Sequence, residues 1–330
     1  MAAVYLSRPV KQFSGSRQPL AELALEGFEA LLASGGPPPE NLMIAAAHPF
    51  ELAGITGPDL AAILNRRARE LSLSTVVTFY ENPGLEQPTA HLAASAAGAA
   101  LVHEAARRVA AGDLRSVAVL GVEQMRLTER VRTTEALRGL IHDEERTSGL
   151  TMPALGALLT RRLETEYEGL SPALQLLMLA NRRRTVDNPR AHVRKALRVE
   201  DVASERNPIV SDPLRLFDVA PTSSGYAGLF LSAEPGPLDV QGVVAGIGRG
   251  LDRLSVARRT ALSRSRATQE AMLELRTGLE WSAEDFYRRV AYAEIHDAFP
   301  IIEFLGLLDC GLCAGSDPVT SIRSGRHDND

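Results

Sequence analysis

Two side chains in this sequence have the type and setting to do chemistry. Ser95 lies in Ala94-Ser95-Ala96-Ala97-Gly98, a run of very small residues opening onto a helical stretch, Ala99 to Val109, almost bare of bulk on one side. A helix of Ala and Gly lets neighbouring backbones approach closely, which suits a buried helix contact or the floor of a pocket. A thiol of pKa about 8.5 could be ionised by a helix end and one histidine. A hydroxyl is far less acidic, so Ser95 needs a base within hydrogen-bond reach to act as a nucleophile, and otherwise is a small buried residue bonding the preceding turn. His296 follows the apolar stretch Val290 to Ile295 and precedes Asp297. It reads either as a site histidine or as a structural group with Asp297 as its cap.

The remaining reactive types point elsewhere. Cys310-Gly311-Leu312-Cys313 is a lone C-x-x-C without further ligands, the pattern of two ordinary thiols. His48, His91, His103, His142 and His192 have no metal-ligand spacing. Glu123, directly after a buried strand, reads as half of a structural charge pair. Gly246-Ile247-Gly248-Arg249-Gly250 lacks the third glycine of a dinucleotide fingerprint and opens no clean helix, so it reads as a glycine-rich strand exit.

These residues need a scaffold, and the chain has material for one. It is 45% hydrophobic and 23% charged over 330 residues, enough for one large or two medium domains. The net charge of -5 and the merely local cluster Arg182-Arg183-Arg184 argue against nucleic acid as the partner. No eighteen-residue apolar run and no signal-peptide core appear, which predicts a soluble cytoplasmic protein without membrane contact. Helical spacing over Leu20–Ala33 and Pro58–Leu71 alternates with apolar strands over Asn41–Ala47, Leu73–Phe79 and Arg115–Gly121, the order of a layered α/β fold. After Met125 the chain becomes helix-rich and charged, with its clearest helices over Thr160–Tyr167 and Pro172–Arg184, a candidate cap over a substrate pocket. Strands are predicted over Tyr226–Ala233, Val240–Ile247 and Val290–Ile295, and helices over Ser265–Leu279, Ala283–Arg289 and Ile301–Leu308. From Ser316 the polar tail has little to bury and predicts disorder.

Three separated stretches resemble the thiolase superfamily, above all its sterol-carrier-protein-type members. The first runs from Ser95 through Gly98 and the turn glycine Gly112 to Gly121-Val122-Glu123-Gln124-Met125. The second joins Leu179-Ala180-Asn181-Arg182, Asn188-Pro189-Arg190-Ala191 and Ile209 to Asp218 with Pro221-Thr222-Ser223-Ser224-Gly225. The third is Ala293-Glu294-Ile295-His296-Asp297-Ala298-Phe299, the family's second active-site motif in its histidine form. In this register Ser95 stands where the family has its acyl-accepting cysteine, and Ser223-Ser224-Gly225 stands where it has Ser-Asp-Gly. The late Gly-His-Pro and Cys-x-Gly motifs are not matched; His327 and Cys313 lie in different settings.

The resemblance implies an α-β-α-β-α sandwich with an inserted helical loop domain and a second half about one βαββ unit short. Residues 1–125 and 235–312 would be the two cores, 126–215 the loop domain, 216–234 the strand closing the first half, and 313–330 the tail. It implies a protein acting on acyl-CoA or carrier-bound acyl thioesters, in acyl transfer or carbon–carbon bond formation. Ser95 and His296 would be its catalytic residues, His296 donating to the oxyanion, with coenzyme A entering as substrate and with neither a resident cofactor nor a metal. Two other readings stand beside it. One is a non-catalytic subunit that pairs with a cysteine-bearing thiolase homologue, or recruits a small OB-fold partner, through sheet edges that would also serve a homodimer. The other is a retro-aldolase-type lyase using tyrosines, for which Tyr287 and Tyr292 lie near His296.

Overall fold

The computed structural model describes residues 3–11, 17–46, 53–80, 96–126, 130–236, 239–313 and 317–325. In chain order the first elements are β1 (Tyr5–Ser7), β2 (Val10–Lys11), α1 (Leu20–Ala33), β3 (Asn41–Ala45), α2 (Gly57–Glu70), β4 (Val76–Tyr80), α3 (Ala97–Ala110) and β5 (Ser116–Gln124). Then come α4 (Arg130–Arg138), α5 (Asp143–Thr147), α6 (Met152–Glu164), α7 (Leu170–Arg184), α8 (Val199–Val202), β6 (Ile209–Ser211) and β7 (Leu214–Arg215). The chain finishes with β8 (Ser224–Ser232), β9 (Val240–Val243), α9 (Arg266–Leu279), α10 (Ala283–Arg289), α11 (Pro300–Asp309) and α12 (Pro318–Arg323). They fall into two compact units, residues 1–140 with 222–245, and residues 141–221 with 246–330.

The first unit is built on one sheet in the order β4-β3-β5-β8-β1-β9, with β2 also pairing β8. β3, β4 and β5 are parallel, in register from Asn41 opposite Val76 and Val117. β8 runs antiparallel to β5 from Ser116–Ser232 to Gln124–Ser224. The helices form where the sequence spacing predicts. α1 buries Leu20, Leu23, Ala24, Phe28 and Leu31. α2 starts at Thr56, whose side chain accepts from Asp59 N, and buries Leu60, Leu64 and Ala68 at four-residue intervals. These faces join Leu42, Ile44, Leu120 and Phe230 in one core. Gly228 is required there, since a Cβ would lie 2.7 Å from Val119 O.

α3 packs on β3 and β5 through Ala97, Leu101, Ala105, Ala106 and Val109. The small-residue argument holds for Ala97, Ala105 and Ala106 but not for Ala99, which is exposed, or for Gly98, where a Cβ would meet nothing within 4 Å. Gly112 does serve as a turn, at φ 80°.

The second unit is helical. α6 and α7 share a core with α11 and α12, formed by Leu163, Leu170, Leu174, Leu177, Ile301, Phe304, Leu307, Val319 and Ile322. Tyr167 meets Phe304 edge-on at 5.2 Å.

Three predictions fail in instructive ways. Val240–Ile247 is not a buried strand: only Val240–Val243 pairs, as an edge of the first sheet, with Val240 and Val243 exposed. Gly246, Gly248 and Gly250 instead lie against α9. A Cβ on Gly248 would fall 2.0 Å from Ala271 O, and one on Gly250 1.8 Å from Ala267 O. The alternate glycines are a backbone-on-helix contact, with Arg249 N and Leu251 N donating to Glu274 and Glu270. Val290–Ile295 forms no strand; residues 290–298 are irregular, and Ala291 to Glu294 are exposed. Among the described residues the second unit therefore holds only the two-stranded antiparallel β6–β7 sheet, and Val290–Ile295 adds no strand to it. Finally, the tail includes α12, capped by Asp317 and burying Val319 and Ile322. Two apolar residues three apart and a cap suffice for one helical turn against an existing core.

Candidate functional site

The described residue predicted as a site, His296, is fixed by its neighbours rather than by a sheet. α11 carries Gly306, where a Cβ would lie 2.4 Å from Ile295 Cγ2, so the irregular chain rests directly on that helix. α6 carries Gly156, where a Cβ would lie 3.0 Å from Phe299 Cδ2. Ala298 O accepts from Ala220 N at 3.1 Å. Ile295 and Phe299 thus turn toward the helical core, and His296 is left exposed with no hydrogen bond to a described residue.

Beside it opens a cleft of about 790 Å³, whose lining includes Asn181, Arg184, Tyr287, Tyr292, Asp297 and Glu303. Asn181 and Arg184 come from the last turn of α7, and Glu303 from the first turn of α11. The Asn181 amide bridges the two acids. Its Nδ2 donates to Glu303 Oε2 at 2.7 Å and to Asp297 Oδ2 at 3.2 Å, while its Oδ1 accepts from Arg184 Nη1 at 2.9 Å. The amide orientation follows from these partners, because turning it would set oxygen against two carboxylates.

Glu303 is the electrostatically unusual member. Burial pushes its carboxyl pKa up from the ordinary 4.5, and the negative charge of Asp297 adds to that; the Asn181 amide and Arg184 oppose it. Burial likewise lowers Arg182, against the pull of Asp297. Tyr292 Oη donates to Glu294 Oε1 at 3.1 Å, which raises its pKa. The cleft therefore offers carboxylate acceptors, tyrosine hydroxyls and one buried acid that holds its proton more readily than a surface glutamate.

Tyr287 and Tyr292, near His296 in sequence, both line the cleft, whereas His296 is not among its lining residues. Ser95, together with His48, His91 and His327, lies outside the described residues. Cys313 is buried in the helical core, and desolvation pushes its thiol up to about 11; Cys310 is raised for the same reason. Both stay protonated at neutral pH, as ordinary thiols do. Glu123 Oε1 accepts from Gln124 N at 3.1 Å.

Sequence reasoning missed Glu303 and assigned Asn181 no role. The signal for Glu303 was present: in Pro300-Ile301-Ile302-Glu303-Phe304-Leu305 one carboxylate interrupts an apolar helix. A charge on a buried face is either paired or functional.

The chain matches no protein-family model. It is 31% identical over 189 residues to the acetyl-CoA acetyltransferase of Methanothermobacter thermautotrophicus, covering 55% of this chain and 48% of that protein. To the benzoylsuccinyl-CoA thiolase subunit BbsB of Thauera aromatica it is 26% identical over 240 residues, 70% of this chain and 59% of that one. The chain thus spans about half the length of the curated relatives it matches. Among solved structures it is similar to the Ltp2-ChsH2(DUF35) aldolase, with a TM-score of 0.75 over 98% of this chain and 81% of that chain at 16% identity. The monomeric SCP2-thiolase like protein type 1 of Mycobacterium smegmatis gives a TM-score of 0.63 over 94% of this chain and 64% of that chain, at 17% identity. Among the described residues no helix is long and apolar enough to cross a membrane. The chain thus has a mixed α/β, thiolase-like fold, and its sequence relatives at low identity include an acetyl-CoA acetyltransferase and a thiolase subunit.

Proposed function

We propose that this chain acts on acyl-CoA or carrier-bound acyl thioesters, in acyl transfer or carbon–carbon bond formation. The observation that carries the reading is the junction at Asn181. Two segments more than a hundred residues apart, each resembling a thiolase motif, supply one hydrogen-bonded cluster at the wall of a cleft. Bond-making next to a thioester needs a group that exchanges a proton in a site partly shielded from water, and a buried carboxyl fits that need. The names of the relatives, an acetyl-CoA acetyltransferase and a CoA-thioester thiolase subunit, support the substrate class.

In this reading Ser95 receives the acyl group and His296 donates to the thioester oxygen. A serine there requires a base throughout the transition state, which makes the acyl-enzyme slow compared with a cysteine one. The test is intact-protein mass spectrometry after incubation with a panel of acyl-CoA thioesters, beside Ser95→Ala and Ser95→Cys. An adduct in the parent that disappears in Ser95→Ala supports the serine acyl-enzyme. An adduct only in Ser95→Cys supports the second reading, a subunit whose catalytic cysteine sits on a partner chain. That second reading is favoured by the relatives' names, one a thiolase subunit and one an aldolase named as a pair of proteins.

A further inference from the structure

We propose that Glu303 is a catalytic residue of the cleft: its carboxylate takes the proton from the carbon next to the thioester carbonyl, and Asn181 is its positioning residue. The inference rests on the acyl-thioester reading above and names the group that makes the nucleophilic carbon. Glu303 is 9% exposed, yet it lines the cleft. Its Oε2 is held by Asn181 at 2.7 Å, and its Oε1 accepts from no described residue. One oxygen is therefore anchored and the other is uncommitted, the arrangement a general base needs.

The other candidates are worse placed. Asp297 is exposed, and it shares the Asn181 amide only through the longer of the two contacts, 3.2 Å. Glu294 and Tyr292 are exposed and bonded to each other. His296 does not line the cleft, and the two cysteine thiols stay protonated. Burial of Glu303 makes it the stronger base, and the amide of Asn181 keeps it ionisable beside Asp297.

The step balances without any further reactant. The proton leaves the α-carbon for Oε1, the C–H electron pair forms the carbon–carbon double bond of the enolate, and the negative charge moves to the thioester oxygen. Tyr287, whose hydroxyl bonds no described residue, is a donor on the same lining for the oxygen of this deprotonated thioester, a carbonyl distinct from that of the acyl group that Ser95 would carry beside His296. Reversal returns a proton to the carbon. In heavy water the returned atom is deuterium, so the reaction is readable without acyl transfer.

The full chain is incubated with acetyl-CoA in heavy water, and the acetyl group is followed by mass spectrometry; acetyl-CoA binding is measured separately by calorimetry. The parent is expected to exchange the α-hydrogens faster than the protein-free control. Glu303→Gln should bind acetyl-CoA equally but lose exchange by about 100-fold, the lower end of a general base's contribution. Glu303→Asp should keep part of it, and Asn181→Ala should slow exchange and move its pH profile upward. If Glu303→Gln does not fold, Glu303→Asp and Asn181→Ala carry the test through that profile. Binding without exchange in the parent, or equal exchange in parent and Glu303→Gln, overturns the inference and leaves the acyl-thioester reading standing. No binding of acetyl-CoA overturns that reading and this inference with it.

Discussion

Glu303 is under two opposed demands. Its helix needs an apolar face there, because Ile301, Phe304 and Leu305 around it are buried, and its cleft needs a carboxylate. The compromise has a measurable sign. The folded-state pKa lies above 4.5, so between 4.5 and that raised value the native chain binds more protons than the unfolded one. Stability therefore falls as pH rises through this window and stays lower above it. Asp297, Arg184, Glu294 and the tyrosines Tyr287 and Tyr292 are the other titratable groups lining the cleft, and Asp297 and Arg184 act on Glu303 in opposite directions. Glu303→Gln keeps an acceptor for Asn181 and removes the buried charge, so denaturant unfolding should show equal or higher stability at pH 7 and a flatter pH slope above 4.5. A loss of stability at pH 7 would mean that the ionised carboxylate is held by more than Asn181. Asn181→Leu should act oppositely, leaving two carboxylates without their shared donor at a cost of about 1–3 kcal/mol.

Elements in this chain are positioned by glycines that sequence patterns alone misread. Gly306 lets the chain at Ile295 lie on α11, and Gly250 lets the chain lie on α9. The two differ in what an added methyl would meet. At Gly306 it is the tip of a side chain, Ile295 Cγ2 at 2.4 Å; at Gly250 it is backbone, Ala267 O at 1.8 Å. Gly306→Ala should cost about 1–3 kcal/mol by overpacking, and Ile295→Ala in the same chain should recover part of that loss in a double-mutant cycle. Gly250→Ala should cost more, with no single side-chain change recovering it. Purely additive effects at Gly306 and Ile295 would contradict the contact. The same contrast explains what was legible in the sequence. Helical periodicity found α1 and α2 almost to the residue, because each buries one face against a sheet made of neighbouring segments. Val240–Ile247 and Val290–Ile295 have strand composition, but whether such residues pair in a ladder or lie on a helix depends on distant chain, which local pattern does not encode. The Asn181–Asp297–Glu303 cluster was hidden for the same reason: its members are ordinary polar residues until α7 and α11 bring them together.

At the scale of assembly, the main sheet of the first unit has two ends. Among the described residues β4 and β9 are the edges. They are not equivalent. β9 has four residues and joins β1 across a register shift between Leu6 and Ser7, the kind of irregularity that discourages a further strand. β4 has five residues in unbroken register with β3, from Val76 opposite Asn41 to Tyr80 opposite Ala45, and Val76 is 60% exposed. A regular edge with an exposed β-branched residue invites another strand. If the chain pairs with a second copy or a homologue through its sheet, β4 is the edge that does it. A lysine there would place charge in the new interface while changing little in the isolated chain. Sedimentation of the parent should then show self-association, or co-sedimentation with an added thiolase homologue, that Val76→Lys weakens at least tenfold, roughly 1.4 kcal/mol. Val243→Lys on β9 should leave it unchanged, and the thermal midpoint of each variant, measured at low concentration, should stay near the parent's. Weakening by Val243→Lys alone would move the interface to the opposite end of the sheet, and equal weakening by neither would remove the sheet edges from the assembly altogether.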